Sequence, residues 1–140
     1  MREITTETLF HLYLDTLKSC GSYLRDASDD VVGYEIFEQF DIGVVSFFHE
    51  SSLLRLLNAG LINTETMQRS SELRRLVLEL QKEKEWSLKA FRTSTRWTTL
   101  LALADEIRSM INAEYYPVNQ SHLFPFANNN LWHLSNRLLC

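Results

Sequence analysis

The groups in this 140-residue chain that could carry chemistry are four histidines, two cysteines and eighteen acids. Their spacing is unfavourable to most sites. His49-Glu50 opens like a helical zinc-protease motif, but Leu53 stands where the second histidine must come one turn later. A di-iron bundle needs inward-facing Glu-x-x-His pairs, and none occurs. No Arg is followed by His at the interval used by helical ribonucleases. Glu35 and Glu38 share a helix face and, with His49 or Glu50, could hold a cation; a solvated acidic face is the plainer reading. Cys20 falls on an apolar stripe, where a thiol is usually a small buried hydrophobe. Cys140 is the last residue, and neither thiol has a base beside it in sequence. Four scattered glycines cannot build a phosphate loop. The chain reads as a protein without catalytic residues, metal or cofactor.

A nucleic-acid reading rests on Arg69, Arg74, Arg75, Lys82, Lys84, Lys89, Arg92 and Arg96. Glu72, Glu79, Glu83 and Glu85 are interleaved with them, whereas a DNA-binding face normally carries an uncompensated basic stripe. Paired charges along a solvated helix face explain this pattern more simply. Trp86 and Trp97 flank the region, and at helical spacing such aromatics belong more often to a core than to a base-stacking platform.

The net charge of −4 conceals a strong asymmetry. Residues 1–50 hold ten acids against three bases, a charge of −7, and the remainder holds eight against eleven, a charge of +3. From Asp26 to Glu50 there are seven acids and no Lys or Arg. Such a field costs self-repulsion and accelerates association with a basic partner. Among these acids, Phe37, Phe40, Val44 and Phe48 fall on one helical face, as a core would. Tyr34 and Phe47 lie nearer the acidic side, where an aromatic anchor within a polar rim suits a protein interface. Charge and helical phase therefore select Asp29, Asp30, Tyr34, Glu35, Glu38, Asp41 and Glu50 as candidate contacts.

The elements that position these residues are helical. Four Gly and two Pro are too few for a sandwich or barrel, which turns every 8–12 residues. Leu9, Tyr13, Leu17, Cys20 and Leu24 form one stripe, with Thr5 or Thr6 as its cap. Asp26 to Asp30 reads as a break. Val31–Phe40 and Val44–Ala59 read as two helical pieces around Asp41-Ile42-Gly43. Asn58-Ala59-Gly60-Leu61 is a helix stop in which Leu61 folds back on Leu56. Asn63 or Thr64 starts a helix to about Glu83, buried along Leu73, Leu76, Val77 and Leu80. Ser87–Thr93 is a short segment, and Ser94 or Thr95 caps a helix along Trp97, Leu100, Leu101, Ala104, Ile107 and Ile111. Residues 112–130, with Pro117, Pro125 and Asn128-Asn129-Asn130, read as irregular, before a final helix around Leu131–Leu138. The expectation is one all-α domain over 1–140, a bundle of five or six helices. No apolar run approaches the roughly 20 residues of a membrane span. Glu3 and Glu7 stand where a signal peptide is basic and then apolar. Both point to a cytoplasmic protein.

The stretch Leu53-Leu54-Arg55-Leu56-Leu57-Asn58-Ala59-Gly60-Leu61-Ile62 is followed by Glu72-Leu73-Arg74, Leu78-Glu79-Leu80, Glu85-Trp86-Ser87, Arg96-Trp97 and Leu103-Ala104-Asp105-Glu106-Ile107. Over residues 50–111 it resembles small all-helical immunity proteins of bacterial contact-dependent growth inhibition and related polymorphic toxin systems. The resemblance implies a protein without activity of its own. It would bind a cognate toxin domain, often a basic nuclease, and occlude its active site or substrate groove. Neither a membrane nor nucleic acid is then a direct partner. The alternative is a helical nucleic-acid-binding regulator using Arg69–Arg96.

Overall fold

The computed structural model describes residues 4–115. The irregular segment expected at 112–130 begins later than expected, since residues 112–115 continue a helix; the rest of it and the final helix lie outside the described residues. Among those described there are six helices and no strand, an all-α bundle.

Helix α1 (Thr6–Lys18) begins where the Thr5 side chain accepts the Thr8 amide at 3.0 Å, with Glu7 at its positive end. It buries Leu9, Tyr13, Leu14 and Leu17. The first stripe is not one helix, however. α1 stops at Lys18; Cys20 reaches the core from the link that follows, and Leu24 from a 3₁₀ turn over Ser22–Asp26. Arg108 holds this ending together by donating to the Leu17 carbonyl at 2.6 Å and to that of Cys20. Carbonyls at a helix C-terminus lack intrahelical partners, and a guanidinium satisfies them well.

Helix α2 runs from 29 to 47 without a break. Ser28 caps it by accepting the Val31 amide at 3.3 Å. The expected interruption at Asp41-Ile42-Gly43 is absent, because Gly43 is a packing residue and not a helix breaker. A Cβ on Gly43 would meet the Cβ of Thr16 at 2.9 Å, and its hydroxyl closer still. The glycine lets α1 and α2 touch backbone to side chain. The break falls instead at Phe48-His49, where His49 turns extended and its Nδ1 accepts the Ser51 amide at 3.2 Å.

That cap starts α3 (Glu50–Asn58). Gly60, at φ 77°, ends it in the expected stop: the Leu61 amide donates to the Leu56 carbonyl and that of Gly60 to Leu57, both at 3.0 Å. Asn63 then caps α4 (Thr64–Lys82). The same stop closes α4 without a glycine. Lys84 takes φ 62°, and the Glu85 amide donates to the Leu80 carbonyl at 2.8 Å. Ser87 caps the short α5 (Leu88–Thr93), and α6 (Thr95–Tyr115) continues past the point where its sequence pattern fades.

Helices α4 and α6 pack antiparallel, as Arg69 pairs with Glu106 while Arg96 pairs with Glu79. Helix α1 meets α4 where Tyr13 reaches Ser70, and α2 meets α4 and α6 through Asp41–Gln81 and Phe37–Trp97. One core joins all six helices. Part of it is an aromatic cluster: Trp97 lies 4.8 Å from Trp86 and 5.3 Å from Phe91, ring centre to ring centre, with Phe37 5.5 Å from Trp86. Tyr13 is buried but not unsatisfied, since its hydroxyl meets that of Ser70 at 2.6 Å.

Candidate functional site

The middle of α2, Glu35–Phe40, is π-helical, and the reason can be read from its spacing. Val32, Ile36, Phe40, Val44 and Phe48 recur every fourth residue, and each is at most 1% exposed. In an α-helix of 3.6 residues per turn, a four-residue step drifts by about 40°. Over the four steps from Val32 to Phe48 the stripe would rotate by about 160° and leave the core. Widening the turns over Glu35–Phe40 removes much of that drift and keeps all five side chains inside. Local π-helical turns occur often at functional sites.

The same correction straightens the opposite face. Asp30, Tyr34, Glu38, Ile42 and Ser46 also recur every fourth residue, and all five are exposed. They form a row along the outside of α2 in which acids alternate with apolar groups. Tyr34 is 54% exposed and Ile42 66%, high values for large apolar side chains. Val31 and Val45 flank the row and are also exposed.

The candidate contacts separate against this row. Asp30, Tyr34 and Glu38 lie in it. Glu35 is half-buried beside it. Asp29, in the first turn, is engaged by Arg92, whose Nη2 lies 3.0 Å from its carboxylate. Asp41 turns toward α4 and accepts from Gln81 Nε2 at 3.0 Å. Glu50 is exposed but opens α3, beyond the far end of a helix about 27 Å long at 1.5 Å per residue. The acidic run is thus no single patch. Among the described residues, no Lys or Arg lies within ion-pair distance of Asp26, Asp30, Glu38, Asp41 or Glu50.

Beside the row, an open groove of about 440 Å³ runs between Tyr34, Glu35 and Gln39 of α2 and Asp15 and Lys18 of α1, with Tyr23 of the 3₁₀ turn. The Tyr23 hydroxyl donates to the Lys18 carbonyl at 2.5 Å. Burial, and next the charge of Glu35, push the Tyr23 phenol well above its ordinary range, so it stays protonated. Neither Asp15 nor Tyr23 is selected by charge and helical phase in the sequence. Their link to α2 is tertiary, and the visible signal was the four-residue row alone.

The other readings meet their own geometry. Burial drives the Cys20 thiol far above the usual range, leaving it unreactive. His49 is a helix cap, and among the described residues no three His, Cys, Asp or Glu gather as metal ligands. Much of the basic region is engaged. Arg96 pairs with Glu79, Glu83 and Glu85, Arg75 with Glu72 and Glu79, and Arg69 with Glu72 and Glu106. Arg92 donates to the Arg25 and Ala27 carbonyls at 2.7 and 2.6 Å, tying α5 to the chain before α2. Trp97 is wholly buried, with its Nε1 donating to the Glu85 carbonyl at 2.8 Å, and Trp86 packs against it. Among the described residues, no helix is long and apolar enough to cross a membrane.

The fold and this surface define an all-α bundle with an acidic, partly apolar helix face. No family model, curated protein or solved structure matches the chain.

Proposed function

We propose that this chain is an immunity protein of the cytoplasm that binds and neutralises a basic toxin domain, a nuclease, through the outer face of α2. The observation that carries the reading is the row Asp30, Tyr34, Glu38, Ile42, in which acids with no Lys or Arg at ion-pair distance among the described residues alternate with exposed apolar groups. Acids without nearby bases steer a cationic partner and raise its encounter rate. Exposed aromatic and aliphatic groups between them supply the desolvated anchors that steering alone lacks. A rigid row of this kind can occupy the groove in which a nuclease holds phosphates. Occlusion requires no chemistry from the inhibitor.

Among the candidate contacts, Asp30, Tyr34, Glu35 and Glu38 form the centre of the proposed contact. Asp29 and Asp41 already serve the fold, and Glu50 belongs at most to the rim. The test is protection of cells that express a basic toxin domain found in a neighbouring reading frame. Replacing both Glu35 and Glu38 by Lys is expected to abolish protection while leaving helicity and melting unchanged. Full protection by the double variant removes the acidic face from the account.

A further inference from the structure

Exposed apolar groups are not confined to the outer row of α2. Ile42 of that row, Val45 beside it and Leu78 of α4 are all exposed, close to where the two helices meet. We infer that this face joins two copies of the chain as a two-fold dimer, with α2 of each copy laid on α4 of the other. The inference goes beyond the toxin-binding reading and does not rest on it.

The arrangement follows from levels along the helices. Phe37 meets Trp86 just beyond α4, and Asp41 accepts from Gln81 within it, so α2 and α4 run in opposite directions. Val45 and Leu78 therefore lie about one turn to the same side of the Asp41–Gln81 bond, and Glu38 and Lys82 lie to the other side. A two-fold axis between the copies and parallel to these helices keeps every residue at its level while exchanging α2 for α4. Ile42 and Val45 of one copy then come over Leu78 of the other, and Glu38 comes opposite Lys82. Each contact forms twice, as a two-fold interface requires. The charges select this axis. Among the described residues, no base lies within ion-pair distance of Glu38 and no acid within that of Lys82. An axis across the helices would instead lay α2 on α2, with the acids of one row against those of the other, a costly pairing. Three exposed apolar side chains per copy are few beside the roughly 1,200–2,000 Å² that stable interfaces bury, so the dimer is a weak one. It covers Glu38 and Ile42, so a second copy and a toxin held by the row exclude each other.

The test is sedimentation equilibrium of the intact chain from about 10 μM to 1 mM, kept reduced so that Cys140 links no copies. A monomer–dimer equilibrium is expected, with a dissociation constant on the order of 100 μM. Ile42→Ser should weaken it about tenfold. Glu38→Lys and Lys82→Glu should each weaken it by a similar factor, about tenfold, and the two together should restore it to within about threefold. That recovery separates a charge pair between copies from damage to the fold by either substitution. A chain that stays monomeric at the highest concentration overturns the dimer and leaves the face to a foreign protein or to the chain's own C-terminal residues. So does a dimer unaffected by Ile42→Ser, or a double charge variant as weak as the single ones. The measurement needs no toxin, so its failure is separate from failure of the protection assay.

Discussion

Arg92 places its guanidinium 3.0 Å from the Asp29 carboxylate, joining α5 to the first turn of α2 across 63 residues of sequence. The acid that opens the proposed face therefore belongs to the scaffold. Asp29→Asn should leave protection intact and cost less than about 1 kcal/mol in chemical denaturation, because the pair is exposed and screened. Asp30→Lys, one residue on in the outer row, should impair protection and cost about 1 kcal/mol of stability, because a cation replaces an acid at the positive end of the helix. Equal functional losses at the two positions would remove the distinction between them.

Contact between α1 and α2 depends on Gly43. Alanine normally improves a helix interior by about 0.5–1 kcal/mol relative to glycine. Here the added methyl collides with Thr16, so Gly43→Ala should destabilise by about 1–3 kcal/mol. Combining it with Thr16→Ala should recover part of that loss, since the Thr16 Cβ stays 2.9 Å away, a coupling that a double-mutant cycle measures. Additive losses would show that the two residues do not meet.

The stop after α4 holds a lysine where glycine is usual. Left-handed backbone costs a residue with a Cβ about 1–2 kcal/mol, partly offset by the larger freedom that glycine loses on folding. Lys84→Gly should therefore stabilise by up to about 1 kcal/mol, seen as a higher denaturation midpoint at unchanged slope. Lys84→Val should destabilise at the same position, since a β-branched residue tolerates that backbone least.

Cys20 gives stability a pH dependence whose sign is fixed by burial. The folded thiol keeps its proton well above the ordinary value of about 8.5, at which the unfolded thiol ionises. Its contribution is complete below that value and is lost as pH rises above it, approaching about 1.4 kcal/mol per pH unit. Denaturation followed from pH 7 to 10 should show this slope, and Cys20→Ala should flatten it. In a Cys140→Ser background, the native chain should resist thiol reagents at pH 8.

What was legible in the sequence was local. Asn63, Ser87 and Gly60 announce helix ends through hydrogen bonds to residues within one turn, and the stripe from Trp97 to Ile111 fits an α-helix without correction. The π-helical register was present as two four-residue rows, but a row of that period also fits two short helices with a break between them. Gly43 favoured the break because its reason, Thr16, lies on another helix. The acidic run was equally visible as a charge, yet its division was not. Arg92, Gln81 and Tyr23 decide which acids serve the fold and which stand beside a groove, and all three approach from distant sequence.

The central claim is that α2 recruits a basic protein by charge, and its most direct test is the association rate of the chain with a basic toxin domain against which it protects cells. The rate should fall tenfold or more, on the order expected for steered encounters, as salt rises from about 0.02 to 0.5 M. Replacing Glu38 by Lys should slow association at low salt and flatten that dependence. A rate insensitive to salt, or unchanged in the variant, contradicts the claim.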